Sequence, residues 1–398
     1  MSLVNKNNIL NFPDNSLLSG TPGIKINFSG KNYFVPVRPE TSFNTNGQVG
    51  NIAHISEQSI KSGTLMVKLQ AGDNVFALPI LNLDEPLLPV EYCNYLFSWG
   101  DNSSGQLGLG DTNDRYEPEK IGSKTWQQVA AGYNHTLAID SEGFLWGWGN
   151  NSSRQLGLGE LVNYLTPQQV CSFAVKYIAT GYDHSMLVDT NGDLWGCGNN
   201  TSGAVGISSP FVYVDTWTLV TEEKAAPFTQ VACGNQSTFA IDAQNILYCC
   251  GSNSNGRLGM PESVTRLFSI TPADFGKCKT VVCGDNRSFA VDLDNVLYAT
   301  GSNQFYQLGL GEDDSDFYGF ASVDSELRVQ SIACTNSASY IIDVNERLWG
   351  CGLNSNGILG KPPSQIFIYT FNLISTEKYK KITAGHDFIA AISEREKI

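Results

Sequence analysis

Between Leu96 and Ile398 the chain repeats one two-part signature six times. The first part reads Leu96-Phe-Ser-Trp-Gly100, Leu145-Trp-Gly-Trp-Gly149, Leu194-Trp-Gly-Cys-Gly198, Leu247-Tyr-Cys-Cys-Gly251, Leu297-Tyr-Ala-Thr-Gly301 and Leu348-Trp-Gly-Cys-Gly352. The second follows 29 to 33 residues later: Val129-Ala-Ala-Gly-Tyr-Asn-His-Thr-Leu-Ala-Ile-Asp140, then 178–189, 231–242, 281–292, 332–343 and a degraded copy at 382–393. The glycines that end the first part are 49, 49, 53, 50 and 51 residues apart. A period near 50 predicts a propeller or an array of sheets, because one such unit cannot bury its own apolar faces.

Within a unit the local code is that of β-structure. Val129–Ala131 and Thr136–Ile139 are short apolar runs, Asp140-Ser-Glu-Gly143 has the chemistry of a tight turn, and Phe144–Trp148 is the next strand. Asp189, Asp242, Asp292 and Asp343 open the equivalent turns, where a carboxylate can accept backbone N–H groups. Gly or Asn closes every turn but the last, which ends on Glu346. Helix signals are nearly absent. The chain therefore reads as all-β, with sheets closing radially so that only short edges remain. The first half-unit begins at Leu96 with no second part before it, and the last second part has no first part after it. Joining 378–393 to 95–121 is expected to complete a six-bladed ring, with seven blades as the alternative.

Charge excludes some partners. With 25 Lys and Arg against 39 Asp and Glu, the formal net charge is −14, which opposes attraction to nucleic acid or anionic lipid. The densest basic run, Lys378-Tyr-Lys-Lys381, reads as a solvated strand edge. No run of about 18 apolar residues is present, so no membrane insertion is expected. Met1–Asn15 is polar and lacks the apolar stretch of a secretory signal. Most cysteines follow the repeat: Cys197, Cys250 and Cys351 share the slot of Trp99, Trp148 and Thr300, and Cys233, Cys283 and Cys334 share that of Ala131, Thr180 and Ala384. They read as small packing residues rather than as a disulfide framework or a zinc site. No catalytic, cofactor-binding or metal-binding constellation stands out, and His135 with His184 has no third histidine in its ring of equivalent slots.

Trp99-Gly110, which reads W-G-x-N-x-x-G-Q-L-G-L-G, and Ala131–Thr136, which reads A-G-x-x-H-[ST], resemble the regulator-of-chromosome-condensation repeat family over about 96–393. The resemblance implies an RCC-type β-propeller. It also implies that the two positions after the motif glycine lie exposed at one rim. Here they are Tyr133 and Asn134, Tyr182 and Asp183, Asn235 and Gln236, Asp285 and Asn286, Asn336 and Ser337, and His386 and Asp387. Two tyrosines among amides and acids make a candidate binding rim for an unknown ligand or receptor. The histidine slot is structural in the family, and the strand tryptophans Trp99, Trp146, Trp148, Trp195 and Trp349 are expected to pack between blades.

Residues 1–90 lack the repeat. Gly23–Val37 and Gly63–Ile80 each run strand, glycine turn, strand, proline, which suits two β-hairpins with one covered face. Two hairpins bury too little to stand alone, so they are expected to pair with each other or with another chain, which would make an assembly or homo-oligomer. Their form is similar to small attachment modules of bacteriophage tail and fibre proteins. Residues 84–94, with Pro86 and Pro89, read as a stiff linker to a propeller at 95–398. The expected function is a non-enzymatic structural or binding protein of a phage virion, located in the particle. The alternative is a guanine-nucleotide exchange regulator of a small GTPase, located in the cytoplasm.

Overall fold

The structure, a computed structural model, describes residues 94–208, 212–220, 226–362, 364–384 and 389–393, together with five backbone strands between 23 and 82. The chain divides into two units, Met1–Tyr92 and Cys93–Ile398. In the first, β1 (Gly23–Phe28) pairs antiparallel with β2 (Lys31–Pro36), and β3 (Met66–Ala71) with β4 (Asn74–Pro79). The short β5 (Leu81–Asn82) adds to β2 through Tyr33 and Phe34. Both hairpins fall where the alternating pattern places them.

The second unit is a β-propeller built from antiparallel sheets, with only short 3-10 turns at Ser254–Gly256 and Ser355–Gly357 among the described residues. It opens with the pair β6 (Phe97–Gly100) and β7 (Arg115–Lys120). One four-stranded sheet follows from β8 (Trp126–Ala131), β9 (His135–Asp140), β10 (Leu145–Gly149) and β11 (Tyr164–Gln169). The next comprises β12 (Val175–Thr180), β13 (His184–Asp189), β14 (Leu194–Asn199) and β15 (Tyr213–Leu219). Then β16 (Phe228–Cys233), β17 (Ser237–Asp242) and β18 (Ile246–Ser252) pair with the first half of the 18-residue β19 (Arg266–Cys283). The second half of β19 starts the next sheet with β20 (Arg287–Asp292), β21 (Val296–Gly301) and the first half of β22 (Phe317–Cys334). The rest of β22 joins β23 (Ala338–Asp343), β24 (Leu348–Leu353) and β25 (Phe367–Ser375), and β26 (Tyr379–Ala384) pairs with β27 (Ile389–Ser393).

The cores lie between neighbouring sheets. Leu137 and Ile139 of β9 pack with Ile178, Leu187, Cys197 and Trp217 of the following sheet, and Phe289 and Val291 pack likewise with Ile341, Cys351 and Phe371. Each blade is stable only with its neighbour, as the period requires.

Two polar devices recur and explain the invariant letters of the repeat. The turn aspartates Asp140, Asp189, Asp242, Asp292 and Asp343 each accept, at Oδ1, the backbone N–H groups two and four residues on, at 2.8–3.0 Å. Oδ2 takes the indole N–H of Trp146, Trp195 or Trp349, or the hydroxyl of Tyr248 or Tyr298. The position that closes the turn has positive φ throughout: Gly143 89°, Gly192 76°, Asn245 63°, Asn295 64° and even Glu346 68°. Likewise Asn102, Asn151, Asn200, Asn253, Asn303 and Asn354 are buried, each accepting the amide N–H five residues on at 3.0–3.1 Å. The Asn-x-[ST] sequons at Asn102, Asn151 and Asn200 thus serve loop structure. Replacing Asp343, which also holds Arg347 Nε at 2.7 Å, strands two amides and an indole. Asp343→Ala is expected to lower the unfolding free energy by about 2 kcal/mol, read by denaturant titration.

Two expectations change. The halves at the ends of the propeller form, yet β27 and β6 are not paired among the described residues, so the sixth four-stranded sheet is not completed. Every other second and third strand is tied by a tight turn, whereas this pair has none and must meet across nearly the whole propeller sequence. The consequence falls on Trp99. Its equivalents Trp148, Cys197, Cys250, Thr300 and Cys351 are fully buried, but Trp99 is 59% exposed because no preceding strand covers it. Trp146, Trp195 and Trp349, nearer the hairpin turns, are half-buried and spend their N–H groups on the turn aspartates.

Candidate functional site

The second part of the signature builds one shared feature. The ends of β8, β12, β16, β19, β22 and β26 converge on a cavity of about 710 Å³ lined by Ala131–Tyr133, Thr180–Tyr182, Cys233–Asn235, Cys283–Asp285, Cys334–Asn336 and Ala384. The second parts of all six repeats therefore contribute to one cavity lining, the channel of the propeller.

The histidine slot ties each blade to the next just behind the mouth of this channel. His135 Nε2 lies 2.9 Å from Ser185 Oγ, and His184 Nε2 lies 3.0 Å from Thr238 Oγ1. Thr238 donates its single proton to the Ala204 carbonyl at 2.7 Å, so His184 must donate from Nε2 and carry a lone pair at Nδ1. Nδ1 of both rings is buried without a partner. Protonation would place an N–H where nothing accepts it. Burial accordingly lowers His135 to about 3, with a contribution from His184, and lowers His184 to about 4. Gly132 and Gly181 are required beneath the rings, since an added Cβ would lie 2.2 Å and 2.1 Å from the respective Cε1 atoms.

In the fourth sheet Arg287 fills this slot. It is 2% exposed, and its guanidinium donates to Ser339 Oγ at 3.1 Å and to the carbonyls of Asn336, Thr335 and Ala338 at 3.0, 2.7 and 2.7 Å. Ser339 passes its proton to Gln307 O at 2.6 Å, just as Thr238 does to Ala204. The slot thus performs interblade latching, and no group of three His, Cys, Asp or Glu suited to a metal occurs among the described residues. The repeat register places Arg287 here, but only the structure shows it taking over the histidine's bond.

The residues proposed for the rim divide into two kinds. Tyr133, Tyr182, Asn235, Asp285 and Asn336 all line the cavity. Their successors Asn134, Asp183, Gln236, Asn286 and Ser337 do not, and their carbonyls accept the N–H groups of Asn150, Asn199, Ser252, Ser302 and Leu353 at 2.7–3.0 Å. Ser337 is buried. Asp183 is further committed to Asn199 Nδ2 at 2.9 Å. The first position faces the channel while the second splices the blade; His386 and Asp387 lie outside the described residues. Tyr133 and Tyr182, at equal slots in successive blades, stack with centroids 4.0 Å apart and planes at 19°. The hydroxyl contact with Tyr133, then burial and the charges of Tyr133, Asp183 and Asp285, raise the Tyr182 phenol above its ordinary range.

The nine cysteines among the described residues are free. Cys233, Cys283 and Cys334 line the channel, but burial holds their thiols in the protonated range, with Cys233 pushed up to about 12. No helix among the described residues is long and apolar enough to cross a membrane.

The sequence model of the RCC1-like domain matches residues 43–324. The chain belongs to the RCC1-like domain family. Among solved structures, Prp20p of Saccharomyces cerevisiae superposes with a TM-score of 0.67 at 22% identity, covering 77% of this chain and 80% of that one. A second structure, Kap60 bound to yeast RCC1 (Prp20), gives 0.66 at 22% identity over 75% and 76% of the two chains. Human WBSCR16 gives 0.67 at 20% identity over 76% and 86%. These likenesses establish the fold. The Arabidopsis thaliana ultraviolet-B receptor UVR8 is 49% identical over 49 residues, 12% of this chain and 11% of its own length. The probable human E3 ubiquitin-protein ligase HERC4 is 45% identical over 51 residues, 12% of this chain and 5% of its own. The RCC1-like chain thus spans about a tenth or less of these curated relatives, matching one repeat's worth of sequence. A propeller of this family suggests a binding or regulatory protein.

Proposed function

We propose that this RCC1-like propeller is a non-enzymatic docking protein that engages a protein partner at the channel mouth, in the class of guanine-nucleotide exchange regulators of small GTPases. The observation that carries the docking reading is the division of labour in the second signature. Histidine, arginine, serine and threonine slots are consumed by interblade bonds, whereas the first position after the glycine slot varies around the channel, as Tyr133, Tyr182, Asn235, Asp285 and Asn336. A surface for one specific partner needs such non-repeating chemistry on a repeating scaffold. Prp20p, whose solved structure is described with its binding properties to Gsp1p and histones, supports a partner of the regulatory class. The virion role expected from the N-terminal hairpins gains no support from the relatives, so the regulatory reading takes precedence.

The test is release of a fluorescent guanine nucleotide from a panel of purified small GTPases. Substoichiometric protein is expected to accelerate release from at least one of them, and Tyr133→Ala with Tyr182→Ala to abolish the acceleration. No acceleration from any GTPase of the source organism would overturn the exchange class, and acceleration untouched by the tyrosine changes would move the docking face elsewhere.

A further inference from the structure

The mouth of the channel has a chemistry beyond being polar. Tyr133 is 62% exposed and Tyr182 42%, although they stack on each other. Stacking consumes one face of each ring, yet both side chains keep much of their surface open to a ligand. Two exposed aromatic rings held together at a cavity edge form a flat, electron-rich platform, the arrangement that attracts a cation through the ring quadrupole.

The same cavity is lined by Asp285, which is exposed. No cation lies within salt-bridge distance of its carboxylate among the described residues. The nearby Arg257 turns inward, donating to Ser254 O at 3.0 Å and to the backbone oxygen of Asp285 at 3.3 Å. Arg287, also adjacent, is fully engaged by the next blade. The scaffold's own arginines thus donate to backbone and hydroxyl oxygens; Arg257 feels the charge of Asp285 but makes no hydrogen bond to its carboxylate. The charge of Asp285 is the smallest of the causes that raise the Tyr182 phenol, after the Tyr133 contact, burial and the charges of Tyr133 and Asp183. With a net charge of −14 over the chain, the field favours approach of a basic segment.

We propose that the mouth takes an arginine side chain of the protein partner, the guanidinium seated in the cavity against the Tyr133–Tyr182 pair with its N–H groups directed to Asp285 of the same lining. Arginine fits better than lysine because its planar head stacks on an aromatic ring while donating in its own plane, whereas an ammonium is a compact, strongly hydrated point charge. Asn235 and Asn336, also in the lining, supply neutral acceptors around it. This assignment rests on the docking reading and names the group that is docked.

The test uses the full chain and a fluorescently labelled glycine-serine peptide with a central Arg-Gly-Arg, followed by anisotropy, with the same peptide carrying Lys-Gly-Lys or citrulline as controls. The arginine peptide is expected to bind at least about fivefold more tightly than the lysine peptide, with citrulline weaker than both. Tyr133→Leu, Tyr182→Leu and Asp285→Asn are each expected to weaken the arginine peptide about tenfold, while Tyr116→Leu, at an exposed site on β7, leaves it unchanged. Thermal unfolding of each variant shows that the fold persists. Equal affinity for the arginine and lysine peptides, no binding of either, or indifference to both Leu changes and to Asp285→Asn, overturns the inference. The docking reading fails separately, by loss of partner crosslinking from the mouth, which does not depend on any peptide.

Discussion

Lowering the pH from 7 to 5 is expected to remove about 4 kcal/mol from the unfolding free energy, through His135 and His184 alone. Both rings are buried and neutral in the native state, held near 3 and 4 by burial. In the unfolded chain an ordinary histidine titrates near 6.5. As the pH drops below that value the unfolded state binds two protons that the native state refuses. Stability is therefore full above about pH 6.5 and falls until the native pKa values are reached, at about 1.4 kcal/mol per pH unit per histidine. At pH 5 each contributes a loss of about 2 kcal/mol, which is large against the 5–15 kcal/mol stability of a typical domain. The turn aspartates act in a different window: Asp140, lowered by its hydrogen bonds despite burial, loses its contribution only as the pH falls through and below the ordinary carboxylate range. Denaturant titrations at half-unit pH steps check this. The His135→Gln/His184→Gln variant is expected to be less stable at pH 7 and to lose most of the slope between pH 6.5 and 5. An unchanged slope would place the titrating groups elsewhere.

Arg287→Ala is expected to cost roughly 3–5 kcal/mol, because it removes four hydrogen bonds donated by a buried guanidinium and takes the donor away from the Thr335 and Asn336 carbonyls, while Ala338 O keeps the Thr335 amide and Ser339 keeps its bond to Gln307. The family slot offers a sharper comparison. Arg287→His places in the fourth sheet the ring that His135 and His184 use in earlier ones, able to donate from Nε2 to Ser339 Oγ as His184 does to Thr238. The histidine variant is expected to recover at least about 1 kcal/mol of the alanine loss at pH 7, and to become newly acid-sensitive below pH 6.5. Equal stability of the two variants would show that Arg287 acts through its charge or bulk rather than through the latch.

The sequence carried the repeat, the Asp turns, the hairpins and the packing cysteines because each depends on spacing and local chemistry alone. Glu346 shows the strength of that local code, since a residue ill-suited to positive φ still adopts 68°. The converging channel was legible only in outline. Counting slots nominates the two residues after each glycine, but nothing in the letters says that Tyr133 faces the cavity while the Asn134 carbonyl takes the amide of Asn150. That split arises from the chain direction at the end of the inner strand. The stacking of Tyr133 on Tyr182 had a signal, equal slots in adjacent blades, yet its exposure is a property of the ring. Offset half-units say that the two ends carry complementary strands, not that the strands pair; among the described residues β6 and β27 are unpaired and Trp99 is exposed.

The proposed docking of a protein partner lies at the channel mouth. It is tested most directly by a photo-crosslinking amino acid placed singly at position 133, 235 or 116 of the full chain, irradiated in extract of the source organism. One shared protein adduct is expected from 133 and 235 at the mouth and none of that mass from 116, at Tyr116 on the exposed strand β7, 92% accessible. The same adduct from 116 with none from the two mouth positions would contradict it.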